Sequence, residues 1–463
     1  MMRQPLEYWS LLQVSEALRR GELSSVEATQ AMLDRIGRLD GSLRSFNTVT
    51  ADRALAHARQ ADAEIAAGFS RGPLHGVPLA VKDLCFTRDA PTSAGMTIHK
   101  DWVPDFDATV VRRLDAAGAV ILGKLHMTEG AALHHHPDMP APRNPWNPDY
   151  WPGVSSSGSG VAVAAGLCYG ATGSDTGGSI RFPSSACGLT GIKPTWGRVS
   201  RHGIFPLAES LDHIGPMART AGDAAAMLGA MAGEDPEDPT SLDALVPDYL
   251  AALGANIRGV RIGVDPVYAG EGVDSEVTAA LADAERALAG LGANIRQVRF
   301  PAGGHGRAAA VGLAIEIAHA HRETFPARAA EYGPELAKTI EAGLKTSPLA
   351  AADALRSRRI FAGEVNRLWR DIDLLLIPAL PSTTPTVEAA KAMGGAQIGQ
   401  LSRFTLPFNL TGLPTITLPC GVSKGGLPIG MQLVGQHLSE PLLCRAGHAF
   451  QRATDWHTRH PAL

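Results

Sequence analysis

Trp151-Pro-Gly-Val-Ser-Ser-Ser-Gly-Ser-Gly160 and Gly173-Ser-Asp-Thr-Gly-Gly-Ser-Ile-Arg181 are the two stretches that decide the fold and the chemistry of this chain. Both place serine hydroxyls in glycine-rich loops, and glycine permits backbone angles that other residues avoid. Such a loop can aim several N–H groups at one anionic oxygen. The second stretch therefore predicts a nucleophile, Ser179, beside an oxyanion hole formed by the backbone N–H groups of Thr176, Gly177, Gly178 and Ser179.

A serine hydroxyl needs a base to take its proton before it attacks a carbonyl carbon. The best candidate is Lys82, near the end of the otherwise apolar run Gly76-Val-Pro-Leu-Ala-Val-Lys-Asp83, which is typical of a buried strand. Burial removes water from the ammonium group and favours the neutral amine, the form that accepts a proton. A lone lysine at the end of a strand is more often a solvent-exposed residue with no catalytic role. The two serine loops favour the interpretation of Lys82 as a base.

These segments resemble the amidase signature family. The stretch from His75 to Asp83 is similar to the family's His-Gly-Val-Pro segment with its Lys-Asp ending. Gly153-Val-Ser-Ser-Ser-Gly-Ser159 is similar to the family's Gly-Gly-Ser-Ser-Gly-Gly-Ser, with Val154 and Ser157 in place of two glycines. Asn409-Leu-Thr-Gly-Leu-Pro414 is similar to one of its C-terminal segments. The resemblance covers nearly the whole chain and is least specific at about 235–350.

The resemblance implies a Ser–cis-Ser–Lys triad, with Ser179 as nucleophile, Ser155 as the bridging serine that follows a cis peptide bond, and Lys82 as base. It implies hydrolysis of a carboxamide or related C–N bond, in an amide, aryl amide, urea or carbamate, through an acyl-enzyme and without metal or organic cofactor. Asp175 and Arg181 flank the nucleophile and are interpreted as an ion pair that orients its loop. The alternative is a scaffold pair with no direct catalytic role.

Short apolar strands alternating with helices predict an α/β fold, as at Val77–Val81, Thr109–Ala117 and Ala119–Leu122. Val260–Val264 and Ile295–Phe300 flank a helical pattern and predict a βαβ unit. The resemblance implies a single α/β/α unit whose central mixed, largely parallel twisted sheet is flanked by helices. We therefore expect one domain over 1–463, made of an N-terminal helical part at 1–70, a catalytic core at 71–232, a variable part at 233–350 and a C-terminal part at 351–463 that completes the sheet and pocket.

The chief alternative within the family is the glutaminase (A) subunit of a tRNA-dependent amidotransferase. The resemblance implies that such a protein carries an acidic residue shortly before the Asn-Leu-x-Gly-Leu-Pro segment. Ser402 occupies that place here, which favours a stand-alone amidohydrolase. A catalytically silent binding protein on the same scaffold is a further alternative, and the presence of Lys82, Ser155 and Ser179 argues against it.

Other classes of site fit the residues less well. Gly421-Val-Ser-Lys-Gly425 has the spacing of a nucleophile elbow, but it lies between two apolar runs and predicts a turn between strands. Gly153–Gly158 has the glycine spacing of a phosphate loop, yet Ser159 and Gly160 stand where lysine and a hydroxyl residue are needed. His126 and the run His134–His136 lack metal-ligand spacing, so we expect pocket lining or a polar loop and no metal.

Composition limits the partners. A net charge of −4 with both signs dispersed gives no basic stripe for nucleic acid, so we expect a small-molecule amide-type substrate. The apolar run at 161–171 is shorter than the roughly 20 residues that span a bilayer, so no membrane association is expected. The five cysteines lack framework spacing, which favours reduced thiols and a cytoplasmic location. A homodimer is compatible with the sequence.

Overall fold

The computed structural model describes residues 5–303 and 306–463. The strands are β1 Phe46–Val49, β2 Pro78–Lys82, β3 Val120–Leu125, β4 Gly170–Asp175, β5 Thr190–Lys193, β6 His213–Ala218, β7 Arg261–Val264, β8 Asn294–Gln297, β9 Leu374–Pro378, β10 Thr415–Val422 and β11 Pro428–Gly435.

The α-helices flank these strands. They are α1 Leu11–Arg19, α2 Ser25–Leu43, α3 Ala51–Ala66, α4 Thr109–Ala116, α5 Ser157–Ala164, α6 Arg181–Cys187, α7 Ala221–Met231, α8 Pro266–Gly270, α9 Ser275–Gly290, α10 Gly306–Ala320, α11 Pro334–Leu344, α12 Pro348–Asn366, α13 Val387–Lys391, α14 Gly395–Leu401, α15 Leu406–Leu410 and α16 Glu440–Ala453.

The strands form one mixed sheet in the order β1-β3-β2-β4-β6-β5-β10-β11-β9-β7-β8. Pairing is parallel in two groups, β3-β2-β4 and β9-β7-β8. Between these groups the strands pair antiparallel, through β6, β5, β10 and β11. The predicted α/β fold with a mixed sheet flanked by helices is confirmed.

Several local predictions agree with the structure. The helix predicted at Thr109–Ala117 is α4, the strand predicted at Ala119–Leu122 is β3, and the predicted βαβ unit is β7, α9 and β8 with parallel strands. The Gly421–Gly425 segment lies at the turn between β10 and β11, as predicted. Its Ser423 is buried, and its hydroxyl oxygen accepts a hydrogen bond from Leu427 N at 3.2 Å, so it is not an exposed nucleophile.

The N-terminal part at 1–70, which was expected to be helical, also contains a strand within the described residues. β1 interrupts the helices between α2 and α3 and pairs antiparallel with β3 at one edge of the sheet. The four residues Phe46-Asn-Thr-Val49 are too few for an alternating pattern to distinguish a strand from a loop. Their pairing depends on β3, which lies about seventy residues further along the chain.

The centre of the sheet carries a continuous apolar core. Leu433 on β11 is fully buried, with Ile416 of β10 opposite it on one side and Leu376 of β9 on the other. The three belong to the main hydrophobic cluster, which also includes residues of α5, α7 and α16. Burial of these apolar side chains stabilises the packing of the three C-terminal strands.

Leu433→Ala is expected to lower the free energy of unfolding by about 2–5 kcal/mol, because it removes buried methyl groups and leaves a cavity in a closely packed core. The matched control is Leu349→Ala, since the Leu349 side chain on α12 is 72% exposed. That control should change stability by less than about 0.5 kcal/mol. Denaturant unfolding of the two variants measures the difference, and equal midpoints would contradict this description of the core.

Candidate active site

Two parallel strands bring the candidate base and the loop of the candidate nucleophile to the same edge of the sheet. β2 ends at Lys82 and β4 ends at Asp175, and the two strands pair in parallel through Ala80 and Ala171. The carboxyl ends of parallel neighbours meet at one edge, where sites are commonly built in α/β sheets. The first turn of α5 is held at the same place, because Ser159 Oγ donates to Thr172 O of β4 at 2.8 Å. The serine turn, residues 153–156, leads directly into this helix.

Lys82 lies among hydroxyl groups. Its side chain is fully buried, and Nζ contacts Ser155 Oγ at 2.7 Å, Ser156 Oγ at 2.9 Å and Ser174 Oγ at 2.7 Å. The adjacent carboxylate does not neutralise this amine, because Asp83 forms an ion pair with Lys124 at 3.1 Å. Lys82 is therefore a buried amine held by neutral oxygens.

Burial lowers the pKa of Lys82 to about 7, against smaller opposing effects of Cys85, Asp175 and Asp212. An ammonium could donate to all three hydroxyls, whereas a neutral amine has two hydrogens and one lone pair. In the neutral state, one hydroxyl can therefore donate its proton to Nζ. The arrangement suits an amine that exchanges a proton with a serine near neutral pH.

The serine turn has an unusual backbone. The peptide bond between Val154 and Ser155 is cis, and Gly153 has a φ of +84°. A Cβ atom on Gly153 would lie 2.3 Å from Pro183 Cα, so only glycine fits there. Val154 and Ser157, the two departures from the family's glycines, are both buried within this packing.

Ser179 lies next to that turn and is half-buried, unlike the fully buried lysine. Its carbonyl oxygen accepts a hydrogen bond from Ser156 N at 3.3 Å, which joins the two predicted loops. Among the described residues, Ser179 Oγ has no hydrogen-bond partner, so the structure does not link it directly to Ser155 Oγ. Catalytic hydrogen bonds are often absent or long without substrate and tighten when it binds.

One of the four N–H groups in the predicted oxyanion hole differs from the other three. Gly178 N donates to Asp175 Oδ1 at 2.9 Å, so this N–H group is already satisfied by the protein. The N–H groups of Thr176, Gly177 and Ser179 have no acceptor among the described residues. Gly178 N differs from these three because the Asp175 side chain turns back under its own loop and accepts hydrogen bonds from Gly178 N and Ile180 N.

Asp175 and Arg181 form a fully buried, bidentate ion pair beneath the loop. Arg181 Nη2 donates to Asp175 Oδ1 at 2.7 Å, and Nε donates to Oδ2 at 2.9 Å. Burial alone would raise the pKa of Asp175, but the charge and hydrogen bonds of Arg181 hold it well below its usual range. Arg181 also donates to Thr405 O, Asn409 Oδ1 and Gln432 Oε1, which joins the loop to the C-terminal part.

Sequence reasoning missed several residues around the site. Ser174 contacts Lys82, Thr405 Oγ1 donates to Gly177 O at 2.6 Å, and Asn409 Nδ2 donates to Asp175 Oδ1 at 2.9 Å. Ser174 had a signal, since it lies two residues after Thr172 on β4 and two residues before Thr176, a spacing that places side chains on one face of a strand. Thr405 and Asn409 lie more than two hundred residues from the loop, and a single sequence does not show such contacts.

The histidines do not form a metal site in the described part of the chain. No group of three or more His, Cys, Asp or Glu side chains in those residues could hold a metal ion. His135 Nε2 lies 3.4 Å from Ser157 Oγ. Glu129 Oε1 accepts from Gly333 N at 2.8 Å, and His126 is buried. Every helix in the described ranges is too short or too polar to span a lipid bilayer.

Comparison with known proteins gives a consistent result. The sequence model of the Amidase family matches residues 27–444. The chain is 50% identical to the amidase-family protein AmiD of Mycobacterium tuberculosis, over 98% of this chain and 96% of the relative. It is 40% identical to the (A) subunit of the glutamyl-tRNA(Gln) amidotransferase of Moorella thermoacetica, over 99% of each chain.

Solved structures show the same likeness. A 6-aminohexanoate cyclic dimer hydrolase in complex with substrate superposes with a TM-score of 0.90 at 28% identity, covering 98% of this chain and 99% of that chain. The peptide amidase of Stenotrophomonas maltophilia superposes with a TM-score of 0.84 at 32% identity, covering 99% of each chain. The chain belongs to the amidase signature family and is a hydrolase of carbon–nitrogen bonds.

Proposed function

We propose that this chain is a stand-alone amidohydrolase that cleaves a small carboxamide or related substrate through Lys82, Ser155 and Ser179. The observation that carries the proposal is the buried Lys82 amine, which contacts Ser155 Oγ at 2.7 Å at the edge of the sheet where the Ser179 loop lies. A lysine near neutral pKa, a bridging hydroxyl and a half-buried serine supply a base, a relay and a nucleophile.

In the first step, neutral Lys82 takes a proton from Ser155, which takes the proton of Ser179 Oγ. The Ser179 oxygen then forms a bond to the carbonyl carbon, and the carbonyl π electrons move to its oxygen. The unpartnered N–H groups of Thr176, Gly177 and Ser179 receive that negative charge. Gly178 N takes no part because it is bound to Asp175.

In the second step, the tetrahedral intermediate expels the nitrogen. The proton on Lys82 returns through Ser155 to the leaving nitrogen as the C–N bond breaks, since expulsion of an unprotonated amide anion is highly unfavourable. The acyl group stays on Ser179 Oγ. Water then loses a proton to the same relay and attacks the acyl carbon. The relay returns that proton to Ser179 Oγ as its bond to the acyl carbon breaks, which releases the acid and restores the serine.

The relatives and the sequence support the proposed substrate class. AmiD shares 50% identity with the chain, and the peptide amidase and the cyclic dimer hydrolase act on amide compounds. The amidotransferase relatives make a glutaminase the second candidate. Ser402 argues against it, because its hydroxyl donates to Ile398 O at 2.9 Å and provides no carboxylate for a substrate amine. A tightly bound partner chain in a native pull-down would favour the glutaminase.

Ser179→Ala should abolish turnover while the fold stays intact, because it removes only the attacking oxygen. A fluorophosphonate should react with the protein that carries Ser179: the serine oxygen forms a bond to phosphorus, fluoride leaves, and peptide mapping by mass spectrometry would locate the phosphonyl group on Ser179. Ser423→Ala, which alters a buried turn serine, is the matched control and should label normally. A label on any residue other than Ser179 would refute the assignment.

Ser155→Ala is expected to reduce kcat by on the order of 10²–10⁴-fold, the range for loss of a positioned proton transfer. The KM should change less, because the proposed role of Ser155 is proton relay. Ser174→Ala removes another hydroxyl from Lys82 but no relay group, so its loss of kcat should be smaller. Steady-state kinetics with a 4-nitroanilide substrate compare the kcat values of the two variants. A larger loss of kcat in Ser174→Ala than in Ser155→Ala would show that Ser155 is not the proton relay.

The value of kcat/KM should rise tenfold per pH unit below pH 7 and level off above it. Lys82 is active when neutral, and burial lowers its pKa to about 7, so acid removes the active form. Lys82→Arg should be as inactive as Lys82→Met, because a guanidinium stays charged at these pH values. Substantial activity of Lys82→Met, or a flat profile from pH 5 to 9, is incompatible with Lys82 as base.

A further inference from the structure

A carboxylate that the proposed reaction does not use contacts the oxyanion loop, residues 176–179. Asp212 lies immediately before β6 and is only 5% exposed. Its Oδ1 atom accepts a hydrogen bond from Thr176 Oγ1 at 2.5 Å. Thr176 is the first residue of the loop whose N–H groups lack acceptors, so this contact reaches the loop at its start.

Asp212 has further donors on its own turn. Leu207 N donates to Oδ2 at 2.9 Å, and Ala208 N lies 3.1 Å from the same oxygen. Burial raises the pKa of Asp212 to about 6, against these hydrogen bonds and the nearby charge of Arg201. Thr176, Leu207 and Ala208 thus all donate to the two oxygens of one buried carboxylate. An asparagine side chain has only one acceptor oxygen and could not accept from all three in the same way.

The turn that carries Asp212 is itself held firmly. Ser210 N donates to Glu316 Oε2 of α10 at 2.8 Å, and Arg358 Nη2 of α12 donates to Ser210 O at 2.8 Å. Arg358 Nε also donates to Leu410 O at 2.8 Å, next to the Asn409 that contacts Asp175. The carboxylate is thus fixed relative to the helices, and Thr176 is held at a fixed position in turn.

The loop needs such support because it contains consecutive glycines. Two side chains from outside hold it, with Asp212 on the hydroxyl of Thr176 and Thr405 on the carbonyl oxygen of Gly177. Preorganised N–H groups stabilise an oxyanion only when they point to the place where charge develops. A loop free to rotate at Thr176 would lose that alignment without losing the nucleophile.

We infer that Asp212 is a positioning residue for the proposed acyl transfer: by holding Thr176, it fixes the direction of the free N–H groups that receive the oxyanion. The inference rests on the proposed function. It assigns Asp212 no contact with substrate and no proton transfer, and it makes Thr176 the residue through which Asp212 acts.

The test compares Asp212→Asn, Thr176→Val, their combination, and the conservative variant Thr176→Ser, which keeps the hydroxyl. The readouts are the maximal rate and the half-saturating concentration for phosphonylation by a fluorophosphonate, together with thermal unfolding. Asp212→Asn and Thr176→Val should each lower the maximal rate by about 10–100-fold, less than the 10²–10³ of losing an oxyanion donor outright. The half-saturating concentration should change by less than about threefold, since uniform binding is untouched.

The double variant should be no slower than the slower single variant, because both changes break the same contact. Thr176→Ser should recover most of the rate. The matched control is Asp235→Asn, since Asp235 is also 5% exposed and accepts from Ser200 Oγ at 2.5 Å, but does not contact the loop. That control should keep the rate whatever it does to the unfolding temperature.

A wild-type rate in Asp212→Asn or Thr176→Val, or rate losses that multiply in the double variant, would overturn the inference. If Asp212→Asn does not fold, the contrast between Thr176→Val and Thr176→Ser decides alone, and equal rates would overturn it. Failure of the proposed function has a different signature, since unmodified protein would then carry no fluorophosphonate on Ser179.

Discussion

The site depends on one buried amine whose neighbours are hydroxyl groups. Lys82 Nζ contacts Ser155, Ser156 and Ser174, while the adjacent Asp83 is paired with Lys124. A lysine paired with a carboxylate would stay charged and could not act as a base. Burial without a counter-charge gives the opposite result, a pKa of about 7. The sheet makes this possible, because the parallel pairing of β2 and β4 encloses Lys82 and brings the serine turn over it.

This arrangement makes the stability of the protein depend on pH. The pKa of Lys82 is about 7 in the folded state, whereas an unperturbed lysine has a pKa of ~10.4. Between these values the unfolded chain binds a proton that the folded chain does not, so the contribution of Lys82 to stability improves as pH rises through that window. Below pH 7 the full cost of the buried amine remains. Asp175 and Arg181 differ, because each neutralises the other within the same core.

The sequence was sufficient for the parts of the site that lie within one local segment. The apolar run that ends at Lys82 predicts a buried strand, and the glycine-rich stretch that ends at Ser179 predicts a loop. Both predictions are possible because a strand and the loop that follows it are determined by nearby residues. The βαβ unit of β7, α9 and β8 was predicted for the same reason. The roles of Lys82, Ser155 and Ser179 in turnover remain proposals, supported by the family and by the contacts of Lys82.

The remainder depends on contacts between distant segments. Thr405, Asn409 and Asp212 reach the loop from other elements. Asn409 begins a segment that resembles the family, but no local pattern predicts the contacts that these three residues make. Gly178 was placed in the oxyanion hole because consecutive N–H groups look equivalent in a sequence. They differ in the structure because the Asp175 side chain binds one of them. β1 was missed because its pairing partner, β3, lies elsewhere in the chain.

The central claim is that burial lowers the pKa of the Lys82 amine to about 7, and direct titration of this amine tests the claim most simply. Protein labelled with ¹³C and ¹⁵N in lysine would be followed by NMR from pH 5 to 11, with the Lys82 signal assigned by its disappearance in Lys82→Met. The structure predicts that the Lys82 Cε and Nζ shifts titrate with a midpoint near pH 7. A midpoint near the ordinary lysine value of ~10.4 would contradict the account.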